Sequence, residues 1–167
     1  MAAIAEQAGA SLRTLYGTFS DKADVFEAVL GRYRLRMAAA TLPAYRRASS
    51  PPEAIAAIVR AGLAYLDAEP AFARLITIDV YSAGGAALER RDEAIEAAQR
   101  LIETGLQNSD LDSPIAAEAI QGALYGMLAA RVRSRKAGNL AGLAPLAIYM
   151  ILAPFMGAEE AYRWATE

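Results

Sequence analysis

The chain has 167 residues, 17 Lys and Arg against 19 Asp and Glu, a formal net charge of −2 and 55% hydrophobic residues. That length can bury a core, and the composition is not that of a disordered, collagen-like or low-complexity chain. With no cysteine and no histidine, the chain cannot form a disulfide framework, a zinc–thiolate site, a thiolate nucleophile or a Ser-His-Asp triad, and it lacks the usual acid–base group near neutral pH.

Alanine supplies 40 of the residues, and alanine favours helices and disfavours strands. Apolar residues recur at spacings of three and four, Leu75–Tyr81 is the one short strand candidate, and the fold class is all-α. Ala2–Ala8 reads as a short helix stopped by Gly9, and Ser11 caps a second that runs to Thr18 or Phe19. Ser20 is placed to cap a third, longer helix with the stripe Phe26, Val29, Leu30, Tyr33 and Met37, ending before Pro43. Ser50-Pro51-Pro52-Glu53 is a capping box with proline in the first turn, which opens a helix to Glu69. Pro70 opens the next, ending near Gly84-Gly85. Ala86–Gln107 is amphipathic with a wet charged face that includes an i,i+4 pair, Glu96–Arg100. Asn108–Asp112 reads as a loop, and Asp112-Ser113-Pro114 starts a long helix through Lys136, closed by Gly138-Asn139. Leu140–Met156 is an apolar helix and Gly157–Thr166 a short tail helix, about nine helices in all.

Charge is uneven along the chain. Residues 1–47 carry seven Lys and Arg against four Asp and Glu, or +3, while residues 48–167 carry ten against fifteen, or −5. A basic end on an acidic body suggests that one part meets a polyanion. Within the basic end, Ala5 is small where two helices would cross, Gly9 accepts a positive φ four positions later, and Ile4, Ala8, Leu15 and Phe19 form an apolar wedge. Arg13, Thr14, Tyr16, Gly17 and Thr18 are left facing outward, with hydroxyls and a guanidinium suited to phosphate oxygens and base edges. Lys22 adds a cation in the first turn of the next helix.

This stretch resembles the DNA-binding domain of the TetR family of transcriptional regulators, whose pattern runs roughly I-A-x-x-A-G-V-S-x-G-T-L-Y-x-H-F-x-x-K. Ile4, Ala5, Ala8, Gly9, Ser11, Thr14, Leu15, Tyr16, Phe19 and Lys22 match it in register, whereas Ala10, Arg13 and Thr18 depart from it. Ala83-Gly84 with Arg90-Arg91, and Leu152–Phe155 with Gly157 and Glu159–Ala161, resemble the family's regulatory half more loosely. The resemblance implies a helix-turn-helix DNA-binding domain over residues 1–47 and a helical-bundle ligand-binding and dimerisation domain over residues 48–167. It also implies Ser11, Arg13, Thr14, Tyr16, Gly17, Thr18 and Lys22 as the DNA-binding residues. Family members carry a further helix ahead of the two that match here. The chain is therefore expected to hold an incomplete DNA-binding domain, and to bind its operator well once that helix is restored.

From Ala137 to Ala158 no residue is charged, and Arg131, Arg133, Arg135 and Lys136 stand just before, the outline of a spanning helix. Asn139, Pro145, Pro154 and the glycines Gly138, Gly142 and Gly157 shorten it below spanning length. Burial against a second copy is the better reading, with no membrane insertion and a cytoplasmic location. The basic cluster reads as a solvated helix end that suits the helix dipole. A homodimer is expected through Ser113–Lys136 and Leu140–Met156, with Gly122, Ala123, Gly126 and Ala130 letting helices approach closely. A mainly apolar cavity with few charges is expected between Ala54–Asp67, Ala71–Ser82 and the Tyr125 region, with Tyr65, Phe72, Ile76, Asp79 and Tyr125 as ligand-binding residues. Asp79, flanked by Ile78 and Val80, has three roles open to it: contacting a ligand, capping a neighbouring helix, or pairing with an arginine such as Arg131.

The expected function is a ligand-responsive repressor released by a small, largely hydrophobic effector, with no cofactor, no metal and no enzymatic activity. An enzyme without His or Cys would need paired carboxylates in a cleft, and no spacing points to such a pair. The competing reading is a helical dimer that binds a small molecule but not DNA.

Overall fold

The structure, a computed structural model, describes residues 1–106, 114–134 and 139–167. Among these residues every regular element is helical: α1 (Ala2–Gln7), α2 (Leu12–Thr18), α3 (Lys22–Arg47), α4 (Pro51–Ala68), α5 (Pro70–Thr77), α6 (Gly85–Leu106), α7 (Pro114–Arg133), α8 (Ala144–Met156) and α9 (Ala158–Thr166). Short 3-10 turns at Asp79–Ser82 and Ala141–Leu143 complete the order. The all-α expectation stands, and Leu75–Tyr81 holds the end of α5, a break at Ile78 and the start of a 3-10 turn, with no strand. No helix among the described residues is long and apolar enough to cross a membrane.

Local chemistry explains most of the boundaries. Gly9, at φ +63°, takes the left-handed conformation that turns the chain out of α1. Ser11 caps α2 by accepting the Thr14 N–H at 3.0 Å. The cap of α3 is Asp21 rather than Ser20: its carboxylate accepts the Asp24 N–H at 2.9 Å. Asp24 in turn accepts the Ser20 N–H at 2.9 Å, so the reciprocal box is built one residue later than a serine-first reading places it.

Pro43 does not end α3, which continues to Arg47. Proline removes one N–H from the ladder, but Pro43 and Ala39, four residues earlier, are both exposed, so water can take the freed carbonyl. Two residues before Pro43, the Thr41 hydroxyl donates to the Met37 carbonyl at 3.0 Å.

Ser50 caps α4 through the Glu53 N–H, and Glu53 Oε2 accepts the Ser49 N–H at 2.7 Å. The helix beginning at Pro70 breaks at Ile78, well short of Gly84. The chain then tightens into the 3-10 turn, and Gly84 at φ +105° leads into α6. The apolar helix foreseen from Leu140 starts instead with a 3-10 turn and becomes α-helical at Ala144, where Pro145 fills the first turn. Asp67 near the end of α4 accepts the N–H groups of Asn139 and Leu140 at 3.0 and 2.9 Å, anchoring that entry. The loop expected at Asn108–Asp112 lies outside the described residues, as do Ser113 and the stretch Arg135–Gly138.

Two apolar clusters hold the bundle. In one, Ile148, Ile151 and Leu152 of α8 pack with Ala56 of α4 and with Ala161 and Ala165 of α9. The Arg60 guanidinium donates to the Trp164 carbonyl, tying α4 to α9. In the other, Leu30 of α3, Leu66 of α4, Phe72 and Ala73 of α5, and Leu140 and Leu143 pack together. The Phe72 ring stacks on Tyr33 at 4.8 Å between centroids and meets Tyr65 edge-on at 6.0 Å. Helix α3 therefore follows directly on α2 and also supplies a wall of the bundle core.

Candidate nucleic-acid interface and adjoining cavity

Helices α1 and α2 close on Ala5 and Leu15, both buried. Ile4 and Phe19 are half-buried, but Ala8 is exposed and drops out of the expected wedge. Its methyl lies with Ala3, Ile4 and Gln7 along an open groove on α1.

The candidate DNA-contacting residues Ser11, Arg13, Thr14, Tyr16, Gly17, Thr18 and Lys22 are all exposed. Arg13, Tyr16 and Gly17 fall on one stripe of α2, with Ser11, Thr14 and Thr18 on the stripe beside it. The Ser11 and Thr14 hydroxyls lie 2.8 Å apart, and the Thr18 hydroxyl donates to the Thr14 carbonyl at 3.2 Å. These contacts fix the hydroxyls at the helix surface while leaving acceptor sites open. A Cβ at Gly17 would meet nothing within 4 Å, so the chain's own packing does not demand glycine there, and a partner's backbone can come close. An exposed Leu12 also shares this surface, at 44% exposure, an apolar contact the polar pattern did not single out.

Behind this head lies a cavity of about 410 Å³, bounded by α3, α5, the Asp79–Ser82 turn, α6 and α7. Phe72, Ile76 and Tyr125 line it together. Tyr65 and Asp79 do not. The Tyr65 ring packs against Phe72 from the far side, and its hydroxyl donates to the Tyr33 carbonyl at 3.4 Å. Asp79 leaves the helix at the Ile78 break and accepts from Arg74 Nε at 3.2–3.3 Å, so its arginine partner is Arg74 and not Arg131.

The walls also differ from the expectation. Helix α4 contributes none of them, while α3 and α6 contribute Phe26, Leu30, Met37 and Ile95 among others. The apolar lining is interrupted by three guanidiniums, Arg34, Arg90 and Arg91, where few charges were foreseen. Period reading finds which residues of one helix share a face, but not which helix lies opposite.

Arg90 reaches Glu27 of α3 at 3.5 Å and Glu93 at 3.0 Å. Hydrogen bonding to Glu93, with Glu27 behind it, holds this guanidinium above its ordinary range. Arg91 pairs with Asp92 and lies 5.0 Å over the Tyr81 ring.

The Tyr125 hydroxyl donates to the Ile76 carbonyl at 3.1 Å. Burial, reinforced by a hydrogen bond to Tyr81, pushes the phenol up to about 12 from the usual 10.0. The raised value means the fold favours the neutral phenol. Its contribution to stability is complete below pH 10.0 and is lost as pH rises through about 12. A spectrophotometric tyrosine titration should show a step near pH 12 that Tyr125→Phe removes.

Residues 1–29 match the family described as bacterial regulatory proteins, tetR family. The match takes in α1, the Gly9 turn, α2 and the opening turns of α3, the same segment that carries the outward polar residues of the candidate interface. No curated protein and no solved structure matches the chain. Over residues 1–29 the chain is similar to the tetR family of bacterial regulatory proteins, and that segment supports a DNA-binding transcriptional regulator.

Proposed function

We propose that the protein is a ligand-responsive repressor, acting on DNA in the cytoplasm as a homodimer and released by a small, largely hydrophobic effector. One observation carries the proposal. Phe26, Leu30 and Arg34, which line the cavity, belong to α3, the helix that begins at Lys22 immediately after the helix-turn-helix. An occupant of the cavity touches the helix on which the DNA-binding head is mounted. It shifts the population of head positions by as much as its affinities for the two states differ.

Dimerisation through α7 and α8 is supported by what those helices leave uncovered. Ile115 is 76% exposed and Leu146 51%, and Gly122, Ala123, Gly126 and Ala130 are exposed along one face of α7. Apart from Glu118 and Gln121, α7 is apolar from Ile115 to Ala130. A helix apolar on nearly all sides is stable when a second partner covers it. Arg13, Tyr16 and the hydroxyls of α2 are assigned to the major groove, and Lys22 to a phosphate.

The test is release. A thermal-shift screen of apolar and aromatic compounds should yield one that stabilises the protein. That compound should weaken binding to a selected duplex by about 5- to 150-fold. A compound that fills the cavity and leaves DNA affinity unchanged contradicts the proposal.

A further inference from the structure

The chemistry of the cavity wall says more about its occupant than apolarity does. Of the described side chains facing the space, three carry a positive charge and none carries a negative one. Phe26, Leu30, Phe72, Ile76 and Val80 form the apolar part, and Val80 and Phe72 are almost wholly buried. Such an arrangement is poorly matched to a purely hydrocarbon ligand, which would leave guanidiniums facing apolar surface.

The arginines are not equally engaged. Arg91 is occupied by Asp92 and by the Tyr81 ring. Arg34 makes no ion pair or hydrogen bond within the described residues, although it borders the cavity from α3. Arg90 is shared between Glu93 and Glu27, and the Glu27 contact is long, at 3.5 Å. The other oxygen of that carboxylate, Glu27 Oε1, is buried without a hydrogen-bond partner among the described residues. Glu27 is thus an imperfectly satisfied partner for Arg90. Glu27 and Arg34 stand two turns apart on α3, about 10 Å along the axis, a gap that two arginine side chains can bridge.

Resting on the reading of this cavity as an effector site, we infer that the effector is an amphipathic organic anion. Its apolar body lies against Phe72, Ile76 and Leu30, and its carboxylate-like group is taken by Arg34 and Arg90 in competition with Glu27. Charge-assisted hydrogen bonds from guanidiniums beside an apolar wall favour a carboxylate over an uncharged group of the same shape. Competition for Arg90 also gives occupancy a direct lever on α3. The ligand takes over the arginine that ties α3 to α6, and the tie to Glu27 is released.

Matched pairs test this inference: medium-chain fatty acids and their primary amides, titrated into the full chain by calorimetry at neutral pH. An acid should bind at least about tenfold more tightly than its amide, a difference of about 1.4 kcal/mol. Arg34→Gln and Arg90→Gln should each shrink that preference, and the double variant should abolish it while amide binding persists. Glu27→Gln should do the opposite, tightening the acid and leaving the amide unchanged, a gain that a misfolded variant cannot mimic. Equal affinities for acid and amide, both lost when Ala94→Trp fills the cavity, overturn the anion assignment and leave the apolar-effector reading standing. Failure of every acid and amide to bind overturns the anion assignment; failure of the wider apolar screen as well overturns both.

Discussion

Replacing Phe72 by alanine is expected to remove about 3–5 kcal/mol of stability, the range for deleting a buried aromatic ring. The ring is 2% exposed and is held between Tyr33 of α3 and Tyr65 of α4. Its removal strips both tyrosines of their partner and joins the vacated space to the existing cavity, so the surroundings have little to collapse upon. Against a typical total of roughly 5–15 kcal/mol, that loss is a large share. Urea unfolding should show a lower midpoint with an unchanged slope. Tyr81→Ala, at a side chain 58% exposed, should cost far less, on the order of 1 kcal/mol or below. Equal effects at the two sites would mean that the α3–α4–α5 junction is not the centre of the core.

Gly126→Arg is expected to turn a dimer into a monomer without unfolding the chain. A Cβ at Gly126 would meet nothing within 4 Å, so the isolated subunit can accept the substitution. The face it shares with Gly122, Ala123 and Ala130 is smooth enough for a partner helix to come close, and one guanidinium there blocks the approach and places a charge in a dry interface. Light scattering should report the wild-type chain at twice the mass of the variant, with matching circular dichroism. Because two half-sites are then no longer held together, affinity for a palindromic duplex should fall on the order of 10²-fold or more. A monodisperse wild-type monomer would remove the α7–α8 interface from the proposal.

The sequence revealed local features well and the pairing of elements poorly. Gly9, Ser11 and Pro70 announce their turns because φ, a cap oxygen and a missing N–H are properties of single residues. The third cap slipped from Ser20 to Asp21 because the two side chains are chemically interchangeable as caps and only the position of Asp24 decides between them. Pro43 was misread because the cost of an interior proline depends on whether the freed carbonyl faces water, which only the tertiary arrangement settles.

The cavity shows the same division. Phe72, Ile76 and Tyr125 were legible as aromatic and apolar residues on neighbouring helices and do meet. Tyr65 reads as one more aromatic on a bundle helix and Asp79 as an acid between Ile78 and Val80, yet the Tyr65 ring packs on Phe72 outside the cavity and the acid, past the break at Ile78, pairs with Arg74. Arg90 and Arg91 fall on the charged face of Ala86–Gln107 that reads as wet, and Arg34 carries no signal of its own, since nothing local tells a guanidinium over water from one over a cavity. Only the lateral packing of α3 on α6 makes the difference.

The most direct test of DNA recognition by the α2 surface is the salt dependence of binding to a duplex selected from a random pool. For a protein in which this surface sits in a complete DNA-binding domain, log affinity should fall steeply and linearly with log salt, as counterions are released from the phosphates it contacts. Lys22→Ala should weaken binding to all sequences and reduce the slope by about 1, whereas Arg13→Ala should keep the slope near the wild-type value and relax the selected sequence. A flat salt response, or slopes and sequence preferences that neither variant moves, would contradict DNA recognition by this surface and favour a helical dimer that binds a small molecule alone.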